Sequence, residues 1–303
     1  MGSIQRPYSI SFRLPDCGIA KGRTIMTYKT ILLHVNDVDR IPGLVEAAAH
    51  LTIRFQAHLI GLHVTLPMPT DDATSYVGGV IVRGGETFRA MAERMRAAFE
   101  QATKHFSVIA EWRQIEAQHV GMAQTLTSEC RATDLVIAGQ TDRRWDHATA
   151  LDEPETILME SGRPVLIIPH SGRFPSFGQR VTIAWNGRRE AVRAAFDALP
   201  LLKVADSVRV IWVNPRNEHG KSVDVPCAAM ATALARHGVR CEAATTRVPD
   251  IKVSDALLSG LTDDSSDLLV MGAYGHSRLR EFVLGGTTRQ VLKHMTVPVL
   301  MSH

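Results

Sequence analysis

Two short blocks of this chain occur twice, and that repeat constrains the fold more than any other feature. Residues 134–139 read DLVIAG and residues 267–272 read DLLVMG, while 163–167 read RPVLI and 297–301 read VPVLM. The apolar run 29–35 ends in Asn36 and the run 181–185 ends in Asn186. The matching positions drift only from 150 apart at this first strand to 133 and 134 apart at the last two. The chain must therefore build one architecture twice.

Each copy alternates short apolar runs with helical periodicity. In the first, strands are predicted near 29–35, 57–64, 108–115, 134–139 and 163–169. Between them, Leu44, Val45, Ala48, Leu51 and Phe55 recur at helical spacing, and 86–104 and 120–130 read as further helices. The stretch holding Pro67, Pro69, Gly78 and Gly79 reads as a loop. In the second copy the predicted strands are 181–185, 207–213, 239–246, 267–272 and 297–301. Val192, Ala195, Phe196, Leu199 and Leu202 mark one helix, Met230 and Leu234 another that stops at Gly238, and Val291, Leu292 and Met295 the last. Strands that are apolar throughout and separated by helices predict a parallel sheet covered on both faces, an α/β fold.

At 303 residues there is room for two such domains. Residues 173–178, rich in Pro, Ser, Phe and Gly, form the natural linker, which places the domains at 27–172 and 179–303. Residues 1–26 show no strand or helix period and no secretory h-region, and read as a peripheral extension. A formal charge of +3 is too mild to argue for nucleic acid, and no apolar run approaches membrane-spanning length. Four scattered cysteines without Cys-x-x-Cys spacing point to reduced thiols in a cytoplasmic protein and against structural zinc.

What the copies do not share is the candidate for function. After the buried run 268–271 come Gly272-Ala273-Tyr274-Gly275, nine further residues, and then Gly285-Gly286-Thr287-Thr288. Thr287 or Thr288 is a suitable helix N-cap, and glycines before a helix let an anion approach backbone N–H groups at the positive end of the dipole. The first copy lacks the second glycine and offers Asp152-Glu153-Pro154-Glu155 before its last helix, where acidic groups would repel phosphate.

The Gly272-x-x-Gly275-x9-Gly285 spacing after a buried strand, with a closing VPVL strand, resembles the signature of the universal stress protein family. The whole chain from about Met26 resembles a tandem member. The resemblance implies two doubly wound parallel five-stranded sheets, each in strand order 3-2-1-4-5, with ligands bound at the switch point between first and fourth strands. It further implies ATP or a related adenine nucleotide in the second domain. Ala184 and Asn186 would stand at the end of the first strand, with Asn186 in place of the usual aspartate. Val213 would lie at the adenine and Met271 and Gly272 beside the ribose. Gly275, His276, Gly285, Gly286 and Thr287 would surround the phosphates, with Gly286 in place of the usual Ser or Thr. Any Mg²⁺ would arrive with the nucleotide. A homodimer of the tandem chain and an unidentified protein partner are also implied. The rival reading is an interaction scaffold that binds no nucleotide, and a weaker one is slow ATP hydrolysis or self-phosphorylation.

Other chemistry is disfavoured by the residues themselves. There is no Gly-x-x-x-x-Gly-Lys-Ser/Thr loop, and Leu279 spoils a nucleophile elbow around Ser277. The thirteen histidines show no paired ligand spacing.

Overall fold

The computed structural model describes residues 27–65, 74–77, 80–83, 85–117, 121–141, 153–215, 227–274 and 286–303. These fall into two compact units, Tyr28–Ser176 and Phe177–His303.

In the N-terminal unit the elements are β1 (Thr30–His34), α1 (Ile41–Phe55), β2 (His58–Thr65), β3 (Thr74–Val77), β4 (Val80–Arg83), α2 (Gly85–Thr103), β5 (Ile109–Glu116), α3 (Met122–Cys130), β6 (Leu135–Gly139), α4 (Glu153–Glu160) and β7 (Val165–Ile168). The main sheet is all parallel in the order β5-β2-β1-β6-β7. Its central strands are buried on both faces, Ile31, Leu32, Leu33, Leu135, Val136 and Ile137 being essentially inaccessible. Helix α1 starts with a proline in its first turn and ends at Gln56 in the left-handed conformation (φ 51°).

The predicted loop between β2 and α2 includes an antiparallel pair, β3 and β4, with Val77 opposite Val80. The glycine pair Gly78-Gly79 that suggested a loop lies between these strands, outside the described residues, as do Pro67 and Pro69.

The C-terminal unit runs β8 (Arg180–Ala184), α5 (Arg189–Asp197), α6 (Leu199–Leu202), β9 (Ser207–Val213), α7 (Ala228–Arg236), β10 (Cys241–Thr246), α8 (Val253–Asp263), β11 (Leu268–Gly272), α9 (Thr287–His294) and β12 (Val299–Ser302). Its sheet repeats the order as β10-β9-β8-β11-β12, again parallel. The helix expected across 192–202 is two helices, with Pro200 in the first turn of the second. Val192 and Phe196, whose spacing marked the helix, are exposed, and α5 buries Glu190, Ala191, Ala194 and Ala195. The cause is a close approach: a Cβ on Gly272 would lie 2.5 Å from the Ala191 nitrogen. A helix seated that near a strand has room beneath it for alanine and none for phenylalanine.

The aspartate that opens each repeated block does the same work in both units. Asp267 Oδ1 accepts the backbone N–H groups of Gly178, Gln179 and Arg180 at 2.9–3.0 Å, and Oδ2 accepts that of Gln179 as well. Asp134 Oδ2 accepts from Lys29 and Thr30 at 2.7 and 2.9 Å. Each carboxylate thus ties the start of the fourth core strand to the start of the first, and fixes the register between them. In the C-terminal unit that register pairs Leu268 with Val181 and Met271 with Ala184. Hydrogen bonds to a charged acceptor contribute about 1.5–3 kcal/mol. Replacing Asp267 by Ala is therefore expected to lower stability by about 2–3 kcal/mol, read as a lower denaturation midpoint; an unchanged midpoint would mean the register is held by something else.

Candidate functional site

The five parallel strands of the C-terminal unit end together, and the crevice opens where the chain leaves β8 in one direction and β11 in the other. Register places Ala184 between Ile211 of β9 and Met271 of β11. Ala184 packs with Ile211, Val213, Ala244 and Leu257, joined by Val248 and Ala256, so the crevice has an apolar wall on its α8 side. At the top of β9, Asn214 adopts the left-handed conformation (φ 48°). Its side-chain amide pairs with both backbone groups of Val248: Nδ2 donates to Val248 O (2.9 Å), and Val248 N–H donates to Oδ1 (2.7 Å). That wall is fixed in place by an amide acting as a missing strand neighbour.

The loop after β8 turns at Gly187 (φ +73°), where a Cβ would come within 3.1 Å of the Trp212 ring. Asn186 is exposed, and its Oδ1 accepts the Arg188 N–H at 3.0 Å. Its side chain is thus engaged in shaping its own turn.

Across the crevice, β11 ends at Gly272 and Tyr274 takes a left-handed conformation (φ 52°). The Tyr274 N–H donates to Thr288 Oγ1 (3.3 Å), which links the exit of β11 to the first turn of α9. The N-cap of α9 is Gly286, not Thr287 or Thr288 as the sequence suggested. No side chain caps it, and no acid stands in the first turn. The expectation failed because the Thr288 hydroxyl is drawn to Tyr274. An eight-residue helix without a side-chain cap or an acid at its start is electrostatically suited to an anion. Of the expected residues, Ala184, Asn186, Val213, Met271, Gly272, Gly286 and Thr287 are positioned by these elements. Gly275, His276 and Gly285 lie outside the described residues.

The N-terminal unit fills the same end of its sheet with its own side chains. His34 ends β1 at the position of Ala184 and is buried. Burial pushes its imidazole down from 6.5 to about 4, so it is neutral near pH 7. Arg40 stretches over Gly139, its guanidinium donating to the carbonyls of Gln140 (2.7 Å), Ile168 (3.2 Å) and Pro169 (3.1 Å). The corresponding residue of the C-terminal unit is Glu190, buried against Gly272. Burial alone would raise its carboxyl. The Arg189 side chain (Nε to Oε1 2.6 Å), a backbone hydrogen bond and the charge of His303 outweigh that and hold it below its ordinary value. Neither His34 nor Arg40 was singled out from the sequence, although aligning the copies sets them against Ala184 and Glu190.

Among the described residues no group of three or more His, Cys, Asp or Glu could hold a metal ion. Cys130, Cys227 and Cys241 are free thiols that burial keeps protonated, Cys130 being pushed up to about 12. No described helix is long and apolar enough to cross a membrane.

Comparison with known proteins follows the same division. Residues 189–303 match the model described as "Usp: Universal stress protein family". Over 46 residues the chain is 50% identical to a universal stress protein of Synechocystis sp., a stretch that is 15% of this chain and 16% of that protein's length. Among solved structures, a universal stress protein from Archaeoglobus fulgidus is similar with a TM-score of 0.69 at 16% identity, over 90% of this chain and 95% of that one. A functionally unknown protein from Pseudomonas aeruginosa PAO1 is similar with a TM-score of 0.56 at 17% identity, over 91% and 92% of the two chains. At these identities the structures speak for the fold over both units.

The buried His34 makes a pH-dependent prediction. Between about pH 6.5 and pH 4 the unfolded chain takes up a proton that the folded imidazole refuses, so stability is lost as pH falls through that window. The loss amounts to about 3 kcal/mol across the window. Denaturant melts of wild type and His34→Met should diverge in slope against pH, wild type losing more; parallel slopes would contradict the assignment.

Proposed function

We propose that this chain, a two-domain member of the universal stress protein family, binds ATP or a related adenine nucleotide in its C-terminal unit alone and acts by changing its contacts with other proteins. The observation that carries the reading is the end of β11. There the chain passes Gly272 and returns in a helix headed by Gly286 without a side-chain cap, beside the apolar wall built on Ala184, Val213 and Met271. Such a site presents backbone donors to phosphates and a flat apolar surface to a base.

The residues fit the phosphate end better than the nucleoside end. Gly286 and Thr287 offer helix-terminal N–H groups, whereas Asn186 brings no carboxylate to a ribose and already spends its Oδ1 on its own loop. Any Mg²⁺ would arrive with the nucleotide's phosphates. A cytoplasmic location, pairing of two chains and an unidentified protein partner complete the reading.

Titration calorimetry with ATP tests it, using wild type and Gly286→Asp. Aspartate is a favourable N-cap, so the variant should keep its helix while placing a negative charge where phosphate would sit. Wild type should bind, and the variant should bind at least about tenfold more weakly, roughly 1.4 kcal/mol. No heat from wild type would favour the scaffold reading, and equal heats would place the nucleotide elsewhere.

A further inference from the structure

On the α8 side of the C-terminal sheet a cavity of about 300 Å³ lies between the β9–β10 edge and the helix. Its walls are apolar, with Ile211 and Val213 from β9, Ala244 from β10 and Leu257 from α8. One end is charged, lined by Arg209, Asp263 and Asp264. Arg209 is already shared: its Nε lies 3.1 Å from Glu242, and its Nη1 donates to Asp264. Asp263 is exposed and has no ion-pair partner among the described residues. Two carboxylates and one guanidinium line this end. The end of the cavity therefore carries an excess of negative charge that attracts cations and repels anions.

The N-terminal unit shows what chemistry suits this face. Register pairs Ala244 with Ile211 and Arg113 with Leu62, so Arg113 of β5 occupies the place of Ala244. Its guanidinium pairs with Glu111 and lies 3.9 Å from Glu129 of α3. One copy thus lays an alkyl stem with a cationic head along the strand toward an acid on the covering helix. In the other copy the stem is reduced to a methyl group, and acids remain at the end of the helix.

We propose that this cavity binds a small organic cation. Its apolar body would lie against Ile211, Ala244 and Leu257, and its ammonium or guanidinium head would meet Asp263 and Asp264. The volume is at the lower end of the range for small-molecule sites, about 300–1,000 Å³. The cavity shares Ile211, Val213, Ala244 and Leu257 with the wall of the crevice above, but the proposal rests on its charged end at Asp263 and Asp264, away from the N-terminus of α9, and does not depend on the nucleotide reading.

The test is a calorimetric titration of the full chain with phenethylamine and with phenylacetate, which share an aromatic body and carry opposite charges. Phenethylamine is expected to bind saturably and phenylacetate not to bind. Ala244→Arg, which installs the other copy's arginine, should abolish amine binding. Asp263→Asn, an exposed change that keeps the fold, should weaken it about tenfold. The proposal is overturned if the amine does not bind, if both probes bind alike, or if Asp263→Asn binds as wild type does. If Ala244→Arg fails to fold by circular dichroism, Asp263→Asn decides the matter alone.

Discussion

In both units a single carboxylate grips the backbone where the sheet begins. Asp267 receives the N–H groups of three successive residues at the entry to β8, and Asp134 receives two at the entry to β1. The first and fourth strands of a doubly wound sheet are far apart in sequence, and nothing local aligns them. A one-residue slip would turn every side chain of the strand to the opposite face. With the clamp set, Ala184 meets Met271 at the opposite end of the sheet, and the crevice has its two walls in register. The site is therefore a consequence of a hydrogen-bond cluster at the far end of the strands.

The two copies then diverge by filling or clearing that crevice. The N-terminal unit puts a buried neutral imidazole where the other has a methyl group, and it answers three strand-end carbonyls with the Arg40 guanidinium. Its α4 opens with Glu153-Pro154-Glu155, whereas α9 opens on Gly286 without an acid in its first turn. Each difference works in the same direction: the small side chain of Ala184 and the absence of an acid in the first turn of α9 both suit the nucleotide proposed for the C-terminal unit. The same logic of displaced arginines shapes the α8 face, where Arg113 in one copy and Arg209 in the other engage equivalent acids from different strands.

Much of the fold was legible because its strands are apolar on both faces and repeat as near-identical words. DLVIAG and DLLVMG announce themselves, and the order of the sheet follows from the family they resemble. What escaped has physical causes. Helix α8 buries Leu257 and Leu261 four apart, yet its third buried residue is Ser254 and its apolar Val253 and Leu258 lie off that stripe, so the period is faint. The large residues Val192 and Phe196 marked α5 by their spacing yet lie exposed, because the close seat on Gly272 reserves the buried face for alanines. At the site, glycines and helix position were readable, but a hydroxyl's choice between capping and bonding to Tyr274 depends on tertiary geometry. Aligning the copies pairs His34 with Ala184 and Arg40 with Glu190, but the burial of the imidazole and the three carbonyls that Arg40 reaches appear only in the folded structure.

On the function proposed above, duplication left one nucleotide site in two sheets. Native mass spectrometry of the full chain with ATP counts occupied sites directly. Saturation at one nucleotide per chain is expected, and a second bound nucleotide, or none, would contradict the proposed function.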